Sequence, residues 1–155
     1  MPSERDQVRQ LGGGDAEAMF RAVTLNRSHL AEWLDTPDRI NSEATARSAL
    51  SDHSVVRFGA FQDGTLRGCA KLILGPPAEL GIWVTEDAQG QGVALALGLA
   101  ALTHATSAGL GPVLYCSDPS NLRSIRLRER LAKRCVSTAV KGRGGEQCWQ
   151  LSLMG

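Results

Sequence analysis

The sequence predicts an α/β (α+β) fold in which a central mixed, mostly antiparallel sheet of about six to seven strands carries helices on both faces. The middle of the chain alternates with the period of strands and is interrupted by tight-turn residues, as an antiparallel meander requires. The segments on either side change to helical spacing, and the chain closes with two more strand-like segments. This order indicates one sheet between two helical layers.

The first segment, residues 7–11, alternates weakly and predicts a strand that the glycines at 12–14 interrupt. Asp15 is a good N-cap type for the helix that follows, and Pro37 is expected to end the second helical stretch. The predicted helices of this part cover residues 15–23, 25–34 and 43–50. They form a helical layer ahead of the meander.

Three strands follow, over residues 55–61, 66–74 and 79–85. Asp63-Gly64 between the first two is a strong hairpin signal, because both residue types tolerate positive φ. Gly75-Pro76-Pro77 supplies the second turn. The three strands are therefore expected to pair as an antiparallel meander.

The second half begins with a helix after Gly92 that is apolar nearly all round, which is typical of a buried helix. Glycines at 109 and 111 end it. The remaining predicted elements are a strand at 113–116, a charged helix at 121–134 and two strands at 136–140 and 147–153.

The bulk composition fits one globular domain over residues 1–155. A hydrophobic content of 43% and a formal net charge of +1 give no basic excess for binding nucleic acid or an anionic membrane. No apolar run approaches the roughly 20 residues that span a bilayer, and residues 1–14 lack the apolar segment of a secretion signal. We therefore expect a cytoplasmic monomer or homodimer without nucleic-acid or membrane partners.

The cysteines at 69, 116, 135 and 148 lack the paired spacing of a zinc site, and the three histidines lack metal-ligand spacing. The sequence therefore predicts no metal site. Because disulfides are rare in cytoplasmic proteins, reduced core thiols are the preferred interpretation, and a catalytic cysteine is the alternative.

A glycine-rich segment, Gln89-Gly90-Gln91-Gly92-Val93-Ala94, lies between the third meander strand and the buried helix. At such a junction the helix N-terminus offers unpaired N–H groups and the positive end of the helix dipole, and glycine lets phosphate oxygens approach the main chain. A pyrophosphate could bind here without a lysine. A plain turn is the alternative, and neither the Rossmann nor the P-loop pattern fits.

These residues resemble the central motif of GNAT acetyltransferases, (Q/R)-x-x-G-x-(G/A) after the fourth strand, with Gln89, Gly92 and Ala94 at its positions. Asn121 and Ser124 are similar to the N-x-x-S element of the branch that acetylates the N-terminal alanine or serine of ribosomal proteins. The resemblance implies the GNAT fold, with acetyl-CoA as cosubstrate.

The resemblance also implies where acetyl-CoA binds. The strand before the glycine loop would pair with the pantetheine arm and direct an N–H at the thioester oxygen. Asn121 would hydrogen-bond the pantetheine arm and Ser124 would face the sulfur, with helix capping as the alternative. The expected cofactor-binding residues are Ile82, Trp83, Val84, Gln89, Gly90, Gln91, Gly92, Val93, Ala94, Asn121 and Ser124. Core packing is the alternative for Trp83.

Acetyl transfer needs an uncharged nitrogen nucleophile. Deprotonating an α-amine of pKa about 7.7–8.0 costs about 1 kcal/mol at pH 7, whereas deprotonating a lysine of pKa about 10.4 costs about 4.6 kcal/mol. Glu79, at the start of the strand before the loop, is the candidate catalytic base, with a solvated strand-edge carboxylate as the alternative. Ser124 is the candidate catalytic acid for the departing thiolate; Tyr115 is its rival, with a packing role favoured for it.

His29 and Trp33, in the early helices, are the candidate acceptor-binding residues, with hydrophobic packing as the alternative for Trp33. The predicted function is acetyl-CoA-dependent N-acetylation of a primary amine, either the N-terminal α-amine of a protein or peptide or a small-molecule amine. An antibiotic- or metabolite-modifying acetyltransferase and a non-catalytic acyl-CoA-binding domain are the alternatives, because fold does not decide between them.

Overall fold

A seven-stranded sheet forms the centre of the computed structural model, which describes residues 6–154. The strands are β1 (Gln7–Gln10), β2 (Val55–Gln62), β3 (Thr65–Ile73), β4 (Glu79–Val84), β5 (Val113–Ser117), β6 (Cys135–Arg143) and β7 (Glu146–Leu153). The helices are α1 (Ala16–Leu25), α2 (Arg27–Ala31), α3 (Thr36–Arg39), α4 (Glu43–Leu50), α5 (Val93–Ser107) and α6 (Leu122–Leu131). Residues 1–5 and 155 of the predicted domain lie outside the described residues.

The strand order is β1-β2-β3-β4-β5-β7-β6. Every neighbouring pair is antiparallel except β4 and β5, which run parallel. The prediction of a mixed, mostly antiparallel sheet is therefore confirmed. None of the helices in residues 6–154 has the length and apolar character needed to cross a membrane.

The meander forms as its turn residues predict. Asp63 and Gly64 adopt φ values of 51° and 80°, and they join β2 to β3 directly after the register pair of Gln62 with Thr65. Two residues with positive φ match the right-handed twist of the flanking strands. The hairpin fixes the register that continues across to β4.

Helices cover both faces of the sheet. On one face, α5 buries Leu97 and Leu102 completely or nearly so, and α6 packs Leu131 against it. Gly98 permits this close packing, because a Cβ there would lie 3.1 Å from Leu131 and 3.3 Å from Ile82. The other face carries α1–α4, with Met19 and Val23 at the centre of a second core.

The α1–α4 layer departs from the sequence prediction at its second helix, which is shorter than expected, and at α3, which was not predicted. Pro37 does not end the second helix, since α2 already ends at Ala31 and Pro37 lies in the first turn of α3. A proline is tolerated there because the first turn of a helix does not need its N–H. Ser42 caps α4, accepting a hydrogen bond from the Thr45 N–H at 3.0 Å.

The prediction that all four cysteines are reduced is wrong for Cys116 and Cys148, which form a disulfide. The two residues are register partners on β5 and β7. In the sequence β6 lies between β5 and β7, whereas in the sheet β5 and β7 are direct neighbours. The spacing of the two cysteines along the chain therefore did not indicate their contact. Cys69 and Cys135 are buried free thiols, as predicted.

Candidate active site

A groove lies between the two parallel strands, β4 and β5. They meet at one register pair, Glu79 with Leu114, where the Leu114 N–H donates to the Ala78 carbonyl oxygen at 2.8 Å. In residues 6–154 no later register pair joins them, so the strands diverge toward their carboxyl ends. Ligands of α/β sheets bind at such a position, outside the carboxyl ends of parallel strands.

The glycine loop, residues 89–94, lies at the open end of this groove, where β4 and β5 have diverged. Gly90 and Gly92 both have positive φ, 76° and 78°, which explains why glycine stands at each position. Gly92 is the N-cap of α5 and provides no side chain to cap it, and the first helical bond runs from the Ala96 N–H to the Gly92 carbonyl at 3.1 Å. The N–H groups of residues 93–95 are therefore available to an anion at the positive end of a 15-residue helix.

Arg67 supports the loop from the core and was not identified from the sequence. Its guanidinium is buried and donates to Asp6 Oδ1 at 2.6 Å and to Gln91 Oε1 at 2.5 Å. Its own carbonyl accepts from the Thr85 N–H at 2.9 Å. The position of Arg67 among the apolar residues of a predicted strand was the available signal, because arginine is almost never buried without partners.

Arg67→Met is expected to lower the free energy of unfolding by about 3–5 kcal/mol, because it leaves the fully buried Asp6 carboxylate without its cation. Urea denaturation at pH 7 measures this loss. The double variant that adds Asp6→Asn should recover part of it, since no buried charge then remains. A loss below about 1 kcal/mol, the range of an exposed ion pair, would contradict a structural role for Arg67.

His29 ties the loop to the helical layer on the other face. Its Nε2 lies 2.7 Å from Gln89 Nε2 and 3.2 Å from the Val84 carbonyl oxygen. The motif glutamine and the end of β4 are therefore held by the same ring. Trp33, the other predicted acceptor residue, lies after α2 and is 43% exposed, so it is not packed in the core.

Three hydroxyl groups cluster on the β5 side of the groove. Ser124 Oγ lies 2.7 Å from the Tyr115 hydroxyl and also contacts Ser117 Oγ. Tyr115 donates to the Ser124 carbonyl at 2.9 Å. Burial raises the pKa of Tyr115, so its phenol stays protonated at neutral pH. Asn121 Oδ1 accepts from the Ser124 N–H at 3.2 Å, which fixes the start of α6 and the position of Ser124.

Glu79 lies at the closed end of the groove, beside Leu114. Both of its carboxylate oxygens accept hydrogen bonds from Arg143 of the β6–β7 hairpin, at 2.7 and 2.5 Å. The bonds to Glu79 are the main cause of a raised pKa for Arg143, which stays a cation at every physiological pH. Each carboxylate oxygen has a second acceptor position, so Glu79 can still accept a hydrogen bond from a water.

A cavity of about 690 Å³ lies on the α1–α4 face of β2–β4. Trp83 lines it, projects from β4 toward α1–α4 and is only 8% exposed, so its ring is part of the core and of the cavity wall. Ile82, its neighbour, projects to the opposite face against α5. Across residues 6–154, no group of three or more His, Cys, Asp or Glu side chains is arranged to hold a metal ion.

Comparisons with known proteins agree with this geometry. A sequence model described as the Acetyltransferase (GNAT) family matches residues 20–132. YdaF of Bacillus subtilis (strain 168), a proposed ribosomal N-acetyltransferase, is 25% identical over 142 residues, which cover 83% of this chain and 78% of that protein.

Two solved structures share the fold. RimL, a ribosomal L7/L12 alpha-N-protein acetyltransferase solved in complex with coenzyme A, superposes with a TM-score of 0.79 at 18% identity, covering 99% of this chain and 97% of that chain. The ribosomal-protein-S5-alanine acetyltransferase from Vibrio fischeri gives a TM-score of 0.80 at 16% identity, covering 99% and 95% of the respective chains.

Proposed function

This chain belongs to the GNAT family of acetyltransferases, and from that membership we propose that it transfers the acetyl group of acetyl-CoA to a primary amine. The acceptor class that we favour is the N-terminal α-amine of a protein or peptide. We further propose that residues 1–155 act as one catalytic domain in the cytoplasm, as a monomer or a homodimer. The names of RimL and of the Vibrio fischeri enzyme, which both specify ribosomal proteins, support a protein acceptor.

One observation carries this proposal: the N-terminus of α5, without a side-chain cap, lies at the open end of the groove between β4 and β5. A diphosphate suits this position, because converging N–H groups and a helix dipole bind anions without a basic side chain. Residues 89–94 would therefore hold the diphosphate of acetyl-CoA. The side-chain oxygen of Gln91 accepts a hydrogen bond from Arg67, so the role of Gln91 is to shape the loop.

The pantetheine arm would extend from this loop into the groove. The strand Ile82-Trp83-Val84 forms one wall and offers main-chain groups to its amides, because β5 pairs with β4 only at Glu79 in the described part of the chain and residues 82–84 have no partner on that side. Asn121 uses its side-chain oxygen to cap α6, which leaves its amide N–H groups for the pantetheine arm. The thioester would then lie near Ser124.

The amine nitrogen attacks the thioester carbonyl carbon, and the C–S bond breaks with its electron pair on sulfur. We propose that Ser124 donates a proton to that sulfur, and that a proton from water, relayed through the hydroxyls of Ser117 and Tyr115 that contact it, replaces the one lost. Glu79 receives the amine proton, directly or through a water. His29 and Trp33 would contribute to the acceptor side.

Glu79→Gln is expected to lower kcat/KM about tenfold below pH 7 and much less well above pH 8, because an α-amine acceptor is mostly protonated at the lower pH and mostly neutral at the higher one. The pH profile of kcat/KM measures this difference. Arg143→Gln is the control, since it removes the same ion pair and keeps the carboxylate. A profile unchanged by Glu79→Gln would exclude Glu79 from proton transfer.

Release of the free CoA thiol, followed over a panel of peptides and small amines, tests the function itself. We expect turnover with at least one peptide N-terminus and a mass increase of one acetyl group on that peptide. Calorimetry with CoA and acetyl-CoA provides the second measurement. No binding of either would overturn the proposal, and binding without turnover would favour the acyl-CoA-binding alternative.

A further inference from the structure

The cavity between the α1–α4 layer and β2–β4 has the size of a ligand site. Its volume of about 690 Å³ lies within the range of roughly 300–1,000 Å³ that small-molecule pockets occupy. Charged side chains and one aromatic ring line much of it: Asp35, Arg39, Asp52, Arg57, Lys71 and Trp83. An occupant must therefore satisfy charge as well as shape.

Two of these cations oppose each other. Arg57 of β2 and Lys71 of β3 are register partners, and both line the cavity. Like charges directly opposite on neighbouring strands repel. Both also act on the thiol of Cys69 in the cavity wall: burial raises its pKa to about 12, and the two cations oppose that rise. A pair of cations on one wall favours an anion in front of it.

The other charges of the cavity have partners within the protein. Arg39 pairs with Asp35 at 2.7 Å, and Arg57 donates to the Ala49 carbonyl at the end of α4 at 2.6 Å. Asp52 accepts hydrogen bonds from Ser54, and its charge interacts with that of Arg57. Within residues 6–154, the ammonium group of Lys71 has neither a hydrogen-bond nor an ion-pair partner.

Lys71 also reaches toward the reaction site. It is the register partner of Gly81 on β4, and its stem lies over that residue: a Cβ on Gly81 would be 3.1 Å from Lys71 Cε. Glu79 is two residues away on the same face of β4, because side chains alternate along a strand. The Lys71 side chain thus extends from β3 over β4, so its ammonium group lies closer to the groove than the Lys71 backbone does.

We propose that this cavity is a subsite for the acceptor and that Lys71 binds a carboxylate group carried by the amine. The proposal rests on the proposed acetyltransferase function and gives its substrate class: amines with a carboxylate close to the reacting nitrogen. Such a group occurs in a peptide with an acidic residue next to its N-terminus and in a small amino acid. The shared chemistry is a primary amine with a nearby anion.

Isosteric acceptor pairs test this. The kcat/KM of Ser-Glu and Ser-Gln peptides is compared in one arm, and that of free glutamate and glutamine in the other, at constant ionic strength. We expect the acidic member of one pair to be preferred about tenfold or more, the value of one hydrogen bond to a charged group. Lys71→Met should bring that ratio to about one, and Lys71→Glu should invert it. Arg47→Met, an exposed cation of α4 paired with Glu43, should keep it.

A wild-type ratio of one in both arms, or a ratio that survives Lys71→Met, would overturn the proposal. Thermal stabilisation by glutarate separates this result from a failure of the acetyltransferase function. If no acceptor is turned over, stabilisation of the wild type that Lys71→Met abolishes still supports the anion site, and no stabilisation of the wild type refutes it. Lys71→Gln replaces Lys71→Met if the methionine variant does not fold.

Discussion

Ser124→Ala is expected to lower kcat about 10²-fold and to leave the affinity for acetyl-CoA nearly unchanged. The variant removes the hydroxyl that we propose protonates the departing sulfur of CoA, and a positioned general acid contributes about 10²–10⁴-fold. The lower end applies because a thiol of pKa about 8.5 is already a fair leaving group at neutral pH. Steady-state kinetics gives kcat, and calorimetry gives the affinity.

Tyr115→Phe is the matched control for Ser124→Ala. Tyr115 is 3% exposed and reaches the groove only through its contacts with Ser117 and Ser124. Because burial raises its pKa, Tyr115 does not ionise in the usual assay range, and it cannot be the source of an alkaline decline there. We expect its loss to slow replacement of the Ser124 proton and to reduce kcat less than tenfold. Full turnover in Ser124→Ala together with none in Tyr115→Phe would make Tyr115 the acid.

The fold follows from local signals that the sequence carries plainly. Asp63-Gly64 predicts the hairpin because positive φ at two successive positions is required there, and both residues adopt it. The helix after Gly92 is predicted to be buried because it has no polar face, and Leu97 and Leu102 are at most 1% exposed. Strand order beyond the meander needed the family resemblance, since alternation alone does not say which strands pair.

The contacts that shape the site join residues far apart in sequence. Arg67 meets Asp6 across 61 positions, and Arg143 meets Glu79 across 64. Such ion pairs depend on which strands are neighbours and in what register, and a side-chain pattern with a period of two contains neither piece of information. For the same reason the disulfide of Cys116 with Cys148 was missed.

The cavity on the α1–α4 face shows the same division between local and tertiary information. Lys71 looks like any lysine within a strand, and its opposition to Arg57 exists only because β2 and β3 pair in one register. The glycine-rich segment 89–94, by contrast, depends on positive φ at Gly90 and Gly92, and glycine at a position in the sequence indicates such a conformation. The geometry of the proposed cosubstrate site was therefore predictable from the sequence, and that of the proposed acceptor subsite was not.

Gly92→Val is expected to weaken acetyl-CoA binding about 10²-fold or more. Gly92 has φ of 78°, and a β-branched residue cannot adopt that conformation without strain of about 1–3 kcal/mol. Relief of the strain would rotate the peptide that begins α5, and the N–H groups that we propose for the diphosphate would no longer converge. Calorimetry with acetyl-CoA measures the loss.

Gly111→Val separates backbone strain from loop function. Gly111 has φ of 74°, nothing within 4 Å of a Cβ built on it, and a position in the connection from α5 to β5, away from the glycine loop. Both variants carry a β-branched residue at positive φ, so both should lose stability to a similar degree. Only Gly92→Val should lose affinity for acetyl-CoA, because only Gly92 adjoins the N–H groups at the start of α5. Equal loss of affinity in the two variants would mean that strain, transmitted through α5, accounts for the effect and that the loop does not grip the diphosphate.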